Sequence, residues 1–113
     1  MKKLRVSVND LVISAKSRIT EITASQALEV YEAENVVIVD IRDIRERQKL
    51  GYIPNSFHAP RGMLEFWIDP ESPYFKEIFG EEKRYIFHCA AGWRSAIAVA
   101  SLCDMGFEAE HIS

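Results

Sequence analysis

Four consecutive β-branched residues, Val36-Val37-Ile38-Val39, run without interruption up to Asp40. Branching at Cβ stiffens the side chain and suits a pleated backbone. An unbroken apolar run also leaves no polar side chain for a wet face, so the strand must be covered on both sides, as inside a parallel sheet. A second run of this kind, Tyr85-Ile86-Phe87-His88, ends at Cys89. Two such strands require helices to cover them, and the rest of the chain has to supply those helices.

The flanking segments read accordingly. A short helix is expected from about Asn9 to Lys16, capped by Asn9 or Asp10, followed by a short strand over Ile19–Ile22. Thr23-Ala24-Ser25-Gln26 has the spacing of a capping box and opens a helix expected to bury Ala27, Leu28 and Tyr31. Ile44 to Leu50 reads as a helix stopped by Gly51, and Tyr52 to Asn55 as a turn before a short strand at Ser56-Phe57-His58. Short helical pieces at Gly62–Trp67 and Tyr74–Phe79 flank a stiff connector with Pro70 and Pro73. Ser95 to Met105 reads as a helix ended by Gly106, and Glu108 to Ile112 as a last strand. Strands alternating with helices predict an α/β fold, a small parallel sheet of about four or five strands with helices on both faces. Ligands of such sheets bind outside the carboxyl ends of the strands, here just after Val39 and His88.

The chain has 113 residues, enough for one domain, and a net charge of −3. That balance offers no basic field for nucleic acid or an anionic membrane, and neither is expected as a partner. No apolar run reaches the ~20 residues of a membrane helix. Asn9 and Asp10 interrupt the amino-terminal stretch before a signal core can form, so the expected location is the cytoplasm. Cys89 and Cys103 fit neither a disulfide framework nor a CxxC pair, and His58, His88 and His111 form no ligand-like cluster. No metal or other cofactor is expected.

The chemistry is concentrated in Cys89-Ala90-Ala91-Gly92-Trp93-Arg94-Ser95, between a strand end and a helix start. Unpaired N–H groups and the positive end of a helix dipole favour thiolate over thiol there. The same groups can cradle an oxyanion. Ala90, Ala91 and Gly92 let the loop curl tightly, and Gly92 can take a positive φ. Arg94 adds a donor fork suited to sulfonate or phosphate oxygens. Asp40 reads as a structural anchor, bonded to loop amides or paired with an arginine. Arg42 reads either as an anion contact or as an ion pair with Asp43 or Glu46, and Arg61 as a contact at the pocket mouth. His88 should face away from Cys89, because adjacent strand residues point to opposite sides. Cys103 falls at the far end of the helix that the loop opens.

Four ordered segments carry a resemblance. Val39-Asp40-Ile41-Arg42 is similar to a strand-ending Asp-x-Arg motif, and Gly51-Tyr52-Ile53-Pro54-Asn55-Ser56 to a Gly-His-Ile-Pro-Gly-Ala turn. Cys89 to Ser95 matches a CxxGxRS loop, and Met105-Gly106-Phe107 a helix-ending Gly-Phe. From about Ile19 onward the chain resembles a rhodanese-like domain, here residues 19–113, preceded by an amino-terminal helical extension over residues 1–18. The resemblance implies a thiosulfate-type sulfurtransferase working through a persulfide on Cys89, held by the amides of Ala90 to Arg94, with Arg94 on the oxyanion of the donor and Ser95 as the last substrate-binding residue of the loop. Trp93 has no implied role and reads as an apolar rim. The implied partners are a small anionic sulfur donor and a thiol acceptor, with a sulfur-carrier protein as a further option. The sequence stops at Ser113, short of the Gly-Gly segment and tryptophan-bearing helix usual in the family. Either the sequence is a shortened form, or the apolar surface exposed there is covered by Met1–Ser17 or by a partner chain, a homodimer being one way to cover it. Two alternatives remain. One is a module for binding or partner-dependent sulfur relay. The other is a phosphatase, although those enzymes space the arginine as Cys-x5-Arg whereas Cys89 and Arg94 give Cys-x4-Arg.

Overall fold

The computed structural model describes residues 1–113. Five helices, α1 (Val8–Lys16), α2 (Ala24–Val30), α3 (Ile44–Leu50), α4 (Leu64–Ile68) and α5 (Trp93–Asp104), alternate with five strands. The strands are β1 (Thr20–Ile22), β2 (Val36–Asp40), β3 (Phe57–His58), β4 (Arg84–His88) and β5 (Glu110–Ile112). Single 3₁₀ turns occupy Arg61–Met63 and Glu77–Gly80. The strands form one wholly parallel sheet in the order β1-β5-β4-β2-β3.

The two apolar runs lie side by side at the centre, in a register that puts Val39 beside Phe87 and Asp40 beside His88. Their residues divide between two cores by period two. Val39, Phe87 and Tyr85 join α4 and α5 through Leu64, Ile68, Ala98, Val99 and Leu102, while Ile38 and Ile86 pack with Ile22 and Ala27 beneath α2. Phe57, Phe79, Tyr85, Phe87 and Phe107 interlock on the first side with ring centroids 4.9–6.5 Å apart. Small residues let α1 approach α5 closely, with Ala15 packed against Ala96 and Ala100.

Helix boundaries follow local chemistry. The Thr23 capping box forms as the spacing requires, with Gln26 N–H donating to Thr23 Oγ1 and Thr23 N–H to Gln26 Oε1. Gly51 ends α3 at φ 84°. At the start of α1 the cap is Ser7, not Asn9 or Asp10. Ser7 and Asp10 form a reciprocal capping box that places Asp10 inside the first turn. In α2 only Ala27 is buried; Leu28 is 62% exposed and Tyr31 partly covered, because nothing overlies that side of the helix. An apolar hollow of about 230 Å³ lies there, lined by Ala24, Ala27, Leu28, Tyr31, Ile53 and Ile112. The segment α1 does not cover it, being committed to α5.

Candidate active site

Between β2 and β4 the connections turn to opposite edges of the sheet, which opens a crevice beyond the carboxyl ends of these strands. The N–H of Ile41 donates to the carbonyl of His88 at 3.1 Å and closes the floor of that crevice. Cys89 is the next residue, half-buried, and the chain then curls through Ala90 and Ala91 into α5.

Gly92 makes the curl possible. It sits at φ 81°, and a Cβ there would stand 3.2 Å from the carbonyl carbon of Ser113 and 3.4 Å from the carbonyl oxygen of Ile112. Only glycine accepts both the left-handed backbone and the close approach of β5. The curl turns Cys89 Sγ toward the start of α5, where it accepts the Ser95 N–H at 3.3 Å and lies 3.5 Å from Ser95 Oγ. Burial works against the thiolate, but the Ser95 hydroxyl and the N–H groups of Ser95, Gly92 and Ala91 outweigh it. The Cys89 pKa falls below the ordinary thiol value.

Asp40 is wholly buried and accepts hydrogen bonds from the Arg42 N–H, Nε and Nη2 at 3.0, 3.0 and 2.9 Å. It also accepts one from Arg47 Nη1 at 3.2 Å. Burial alone would raise its pKa, but the bonds from Arg42 dominate and bring it to about 2. The anchor reading of Asp40 matches this geometry. Arg42 departs from the ion pair expected with Asp43 or Glu46: it folds back on Asp40, donates to the Gly51 carbonyl at 2.7 Å, and is itself buried.

His88 turns to the Asp40 side of the sheet while Cys89 turns to Ser95, as alternation requires. Its Nε2 lies 4.0 Å from Asp40 Oδ2 with no hydrogen-bond partner, and burial depresses its pKa. A hollow of about 590 Å³ in front of Cys89 is bordered by Arg42, Tyr52, Ile53, His88, Ala90 and Gly92. A neighbouring basic hollow of about 370 Å³ brings Arg42, His58, Arg61 and Arg94 together. Arg61 is engaged there by Glu65 at 3.0 Å, and His58 Nε2 meets the Arg42 carbonyl at 2.7 Å.

Arg94 does not hang free over the loop. Its two Nη atoms take Glu46 of α3 in a bidentate pair at 2.8 and 3.0 Å, which lowers the Glu46 pKa. Trp93 is about half exposed at the rim. Cys103 lines a separate hollow of about 530 Å³ with Arg18, Arg84 and Glu110, at the amino ends of the strands and away from Cys89.

Sequence reasoning passed over two side chains of this neighbourhood. His111 of β5 is completely buried and sits with Nδ1 2.8 Å from Ser95 Oγ, and its Nε2 meets Glu21 Oε2 of β1 at 2.8 Å. The available signal was weak: with Ile112 facing α2, period two puts His111 on the α5 side, but only the strand order brings it to Ser95.

Strand, half-buried cysteine, tight amide-lined turn and helix together define a parallel α/β domain with a thiolate-stabilising anion loop. A family model, the rhodanese-like domain, matches residues 23–112, and the chain belongs to that family. A protein of unknown function from Rhodopseudomonas palustris, described as a possible tyrosine phosphatase, is 45% identical with a TM-score of 0.95, the match covering 100% of this chain and 88% of that one. A rhodanese-like domain protein from Staphylococcus aureus is 28% identical with a TM-score of 0.63, over 84% of this chain and 85% of that one. A Staphylococcus saprophyticus protein is also 28% identical, with a TM-score of 0.66 over 84% and 87%. No curated protein matches the chain. No helix is long and apolar enough to cross a membrane.

Proposed function

We propose that this chain is a sulfurtransferase that moves a sulfane sulfur from thiosulfate or a similar anionic donor to a thiol acceptor. Residues 19–113 would form the working domain, with residues 1–18 as a buttress on α5. The observation that carries the reading is the seat of Cys89: a half-buried sulfur at a strand end, bonded by the Ser95 N–H and facing an open hollow. The thiolate attacks the outer sulfur of the donor. The sulfur–sulfur bond of the donor breaks, its electron pair leaves with sulfite, and a persulfide remains on Cys89. An acceptor thiolate then takes the outer sulfur and restores the Cys89 thiolate, a two-step covalent cycle. The amides of Ala91, Gly92 and Ser95 that favour the thiolate also suit the persulfide anion. A small acceptor or a sulfur-carrier protein fits this chemistry.

A phosphatase reading is prompted by the description of the R. palustris relative. Here the arginine follows the cysteine after four residues rather than five, and its fork is held by Glu46. The shorter spacing favours the sulfur reading. Intact mass after thiosulfate treatment tests it. Wild type and Cys103→Ser should gain one sulfur that cyanide removes, and Cys89→Ser should not. No gain, together with Cys89-dependent hydrolysis of an aryl phosphate, would reverse the preference.

A further inference from the structure

Behind the nucleophile a continuous polar path crosses the α5 side of the sheet to the surface. Cys89 Sγ is 3.5 Å from Ser95 Oγ, which is 2.8 Å from His111 Nδ1, and His111 Nε2 is 2.8 Å from Glu21 Oε2. Ser95 and His111 are both fully buried, and Glu21 is partly exposed, 3.7 Å from Lys16 Nζ of α1. These members come from the loop, α5, β5 and β1, so no single element imposes the arrangement.

The hydrogen bonds have one consistent direction. The Glu21 carboxylate can only accept from Nε2, which fixes the tautomer with its proton there and leaves Nδ1 an acceptor. Ser95 must then donate its hydroxyl proton to Nδ1, and its oxygen is left to accept from the Cys89 thiol. A nucleophile, a base within reach through one hydroxyl, and a third group orienting the base is the general constellation of an activated nucleophile.

We propose that Ser95, His111 and Glu21 form a relay that receives the Cys89 proton, making His111 the internal base of the site. This builds on the reading of Cys89 as the nucleophile. In the step, the S–H proton passes to Ser95 Oγ as the hydroxyl proton passes to Nδ1. The products are a thiolate, a re-formed hydroxyl that now donates to it, and an imidazolium bonded to Ser95 Oγ and Glu21. No net charge is created, no external base is needed, and the return of the proton can neutralise a leaving thiolate. The charged and polar groups facing the ring are Ser95 from α5, Glu21 from β1 and, beyond Glu21, Lys16 from α1. Burial lowers the His111 pKa, Glu21 opposes that and Lys16 reinforces it, so the resting imidazole is neutral.

The test is the pH dependence of iodoacetamide alkylation of Cys89 in a Cys103→Ser background, where a single thiol reports. His111→Asn can keep an acceptor close to the Nδ1 position but cannot take a proton, so it separates a relay from a mere packing role. The expected result is an alkylation midpoint about one pH unit higher in His111→Asn, hence ~tenfold slower reaction at a pH below both midpoints. Glu21→Gln, at a partly exposed site, should shift the midpoint the same way by a smaller amount. Unchanged midpoints in folded His111→Asn would overturn the relay. Should that variant fail to fold, an unchanged midpoint in Glu21→Gln would overturn it instead. Sulfur loading by mass, run on the background protein, is independent: a shifted midpoint without loading sinks the sulfur-transfer reading alone, and loading without a shift sinks the relay alone.

Discussion

Removing the Asp40 carboxylate should be among the most damaging single changes available to this chain. Asp40→Ala takes away the acceptor of three Arg42 hydrogen bonds and one from Arg47, and leaves both guanidinium groups in place, with side-chain exposures of only 9% and 13%. Breaking one side of a buried ion pair costs about 3–5 kcal/mol, chiefly through the charge left behind. Arg42 retains the Gly51 carbonyl and Arg47 retains Ser56, so the lower end, ~3 kcal/mol, is expected. With an unfolding entropy of ~2.1 cal/mol/K per residue over 113 residues, that loss lowers Tm by roughly 13 °C. Urea unfolding at pH 7 measures the free energy and a thermal melt the temperature. The double variant Asp40→Ala with Arg42→Met should recover part of the loss, because it removes the stranded charge. A loss below ~1 kcal/mol in Asp40→Ala, or no recovery in the double variant, would refute the stranded-charge argument.

The same carboxylate sets an acid limit. Its folded pKa of about 2 lies below the unfolded value, so its contribution is full above about pH 4 and fades as pH falls toward 2. Some 2 kcal/mol should be lost over that window, and the corresponding part of the slope should vanish in Asp40→Asn; an identical slope in that variant would reject the assignment. Gly92→Ala forces a side chain into a left-handed backbone and against β5, so stability should fall by ~1–3 kcal/mol. Alkylation of Cys89 should slow with it, and urea and iodoacetamide assays unchanged from wild type would contradict the loop geometry. Glu46→Gln weakens the hold on Arg94, and the KM for thiosulfate should drop ~3-fold or more with little change in kcat. An unchanged or higher KM would mean that Arg94 does not meet the donor.

What could be read in advance was whatever is settled within a few residues. The β-branched run before Asp40, the Thr23–Gln26 box and the glycines after α3 and α5 depend on local backbone chemistry, and they fell where expected. Ser7 was missed because Asp10 is itself a good cap; in the folded helix it serves as the reciprocal partner three residues on. Helical periodicity placed Leu28 on an apolar side of α2 without saying whether anything covers that side. For Arg42 the sequence leaves an anion contact or a pair with Asp43 or Glu46 open, and neither reading includes Asp40, which lies two residues upstream and meets it across the strand end. His111 and Glu21 were beyond reach, since their meeting with Ser95 depends on the order of strands in the sheet rather than on any spacing along the chain.

That order has a consequence for how the molecule is made. The last strand, β5, is not at an edge: it lies between β4 and β1, and β1 pairs with no other strand. During folding β1 therefore waits about 90 residues for its neighbour β5, the pairing of greatest sequence separation in the sheet and so one of slow closure. The centre of the sheet can assemble earlier from β2, β3 and β4, but the gap beside β4 stays open to any stray strand until β5 enters it. Since β5 also carries His111, a partly folded chain in which β5 has not yet docked has a Cys89 loop whose Ser95 has no imidazole to meet, and that hydrogen bond becomes available only when β5 slots in beside β4.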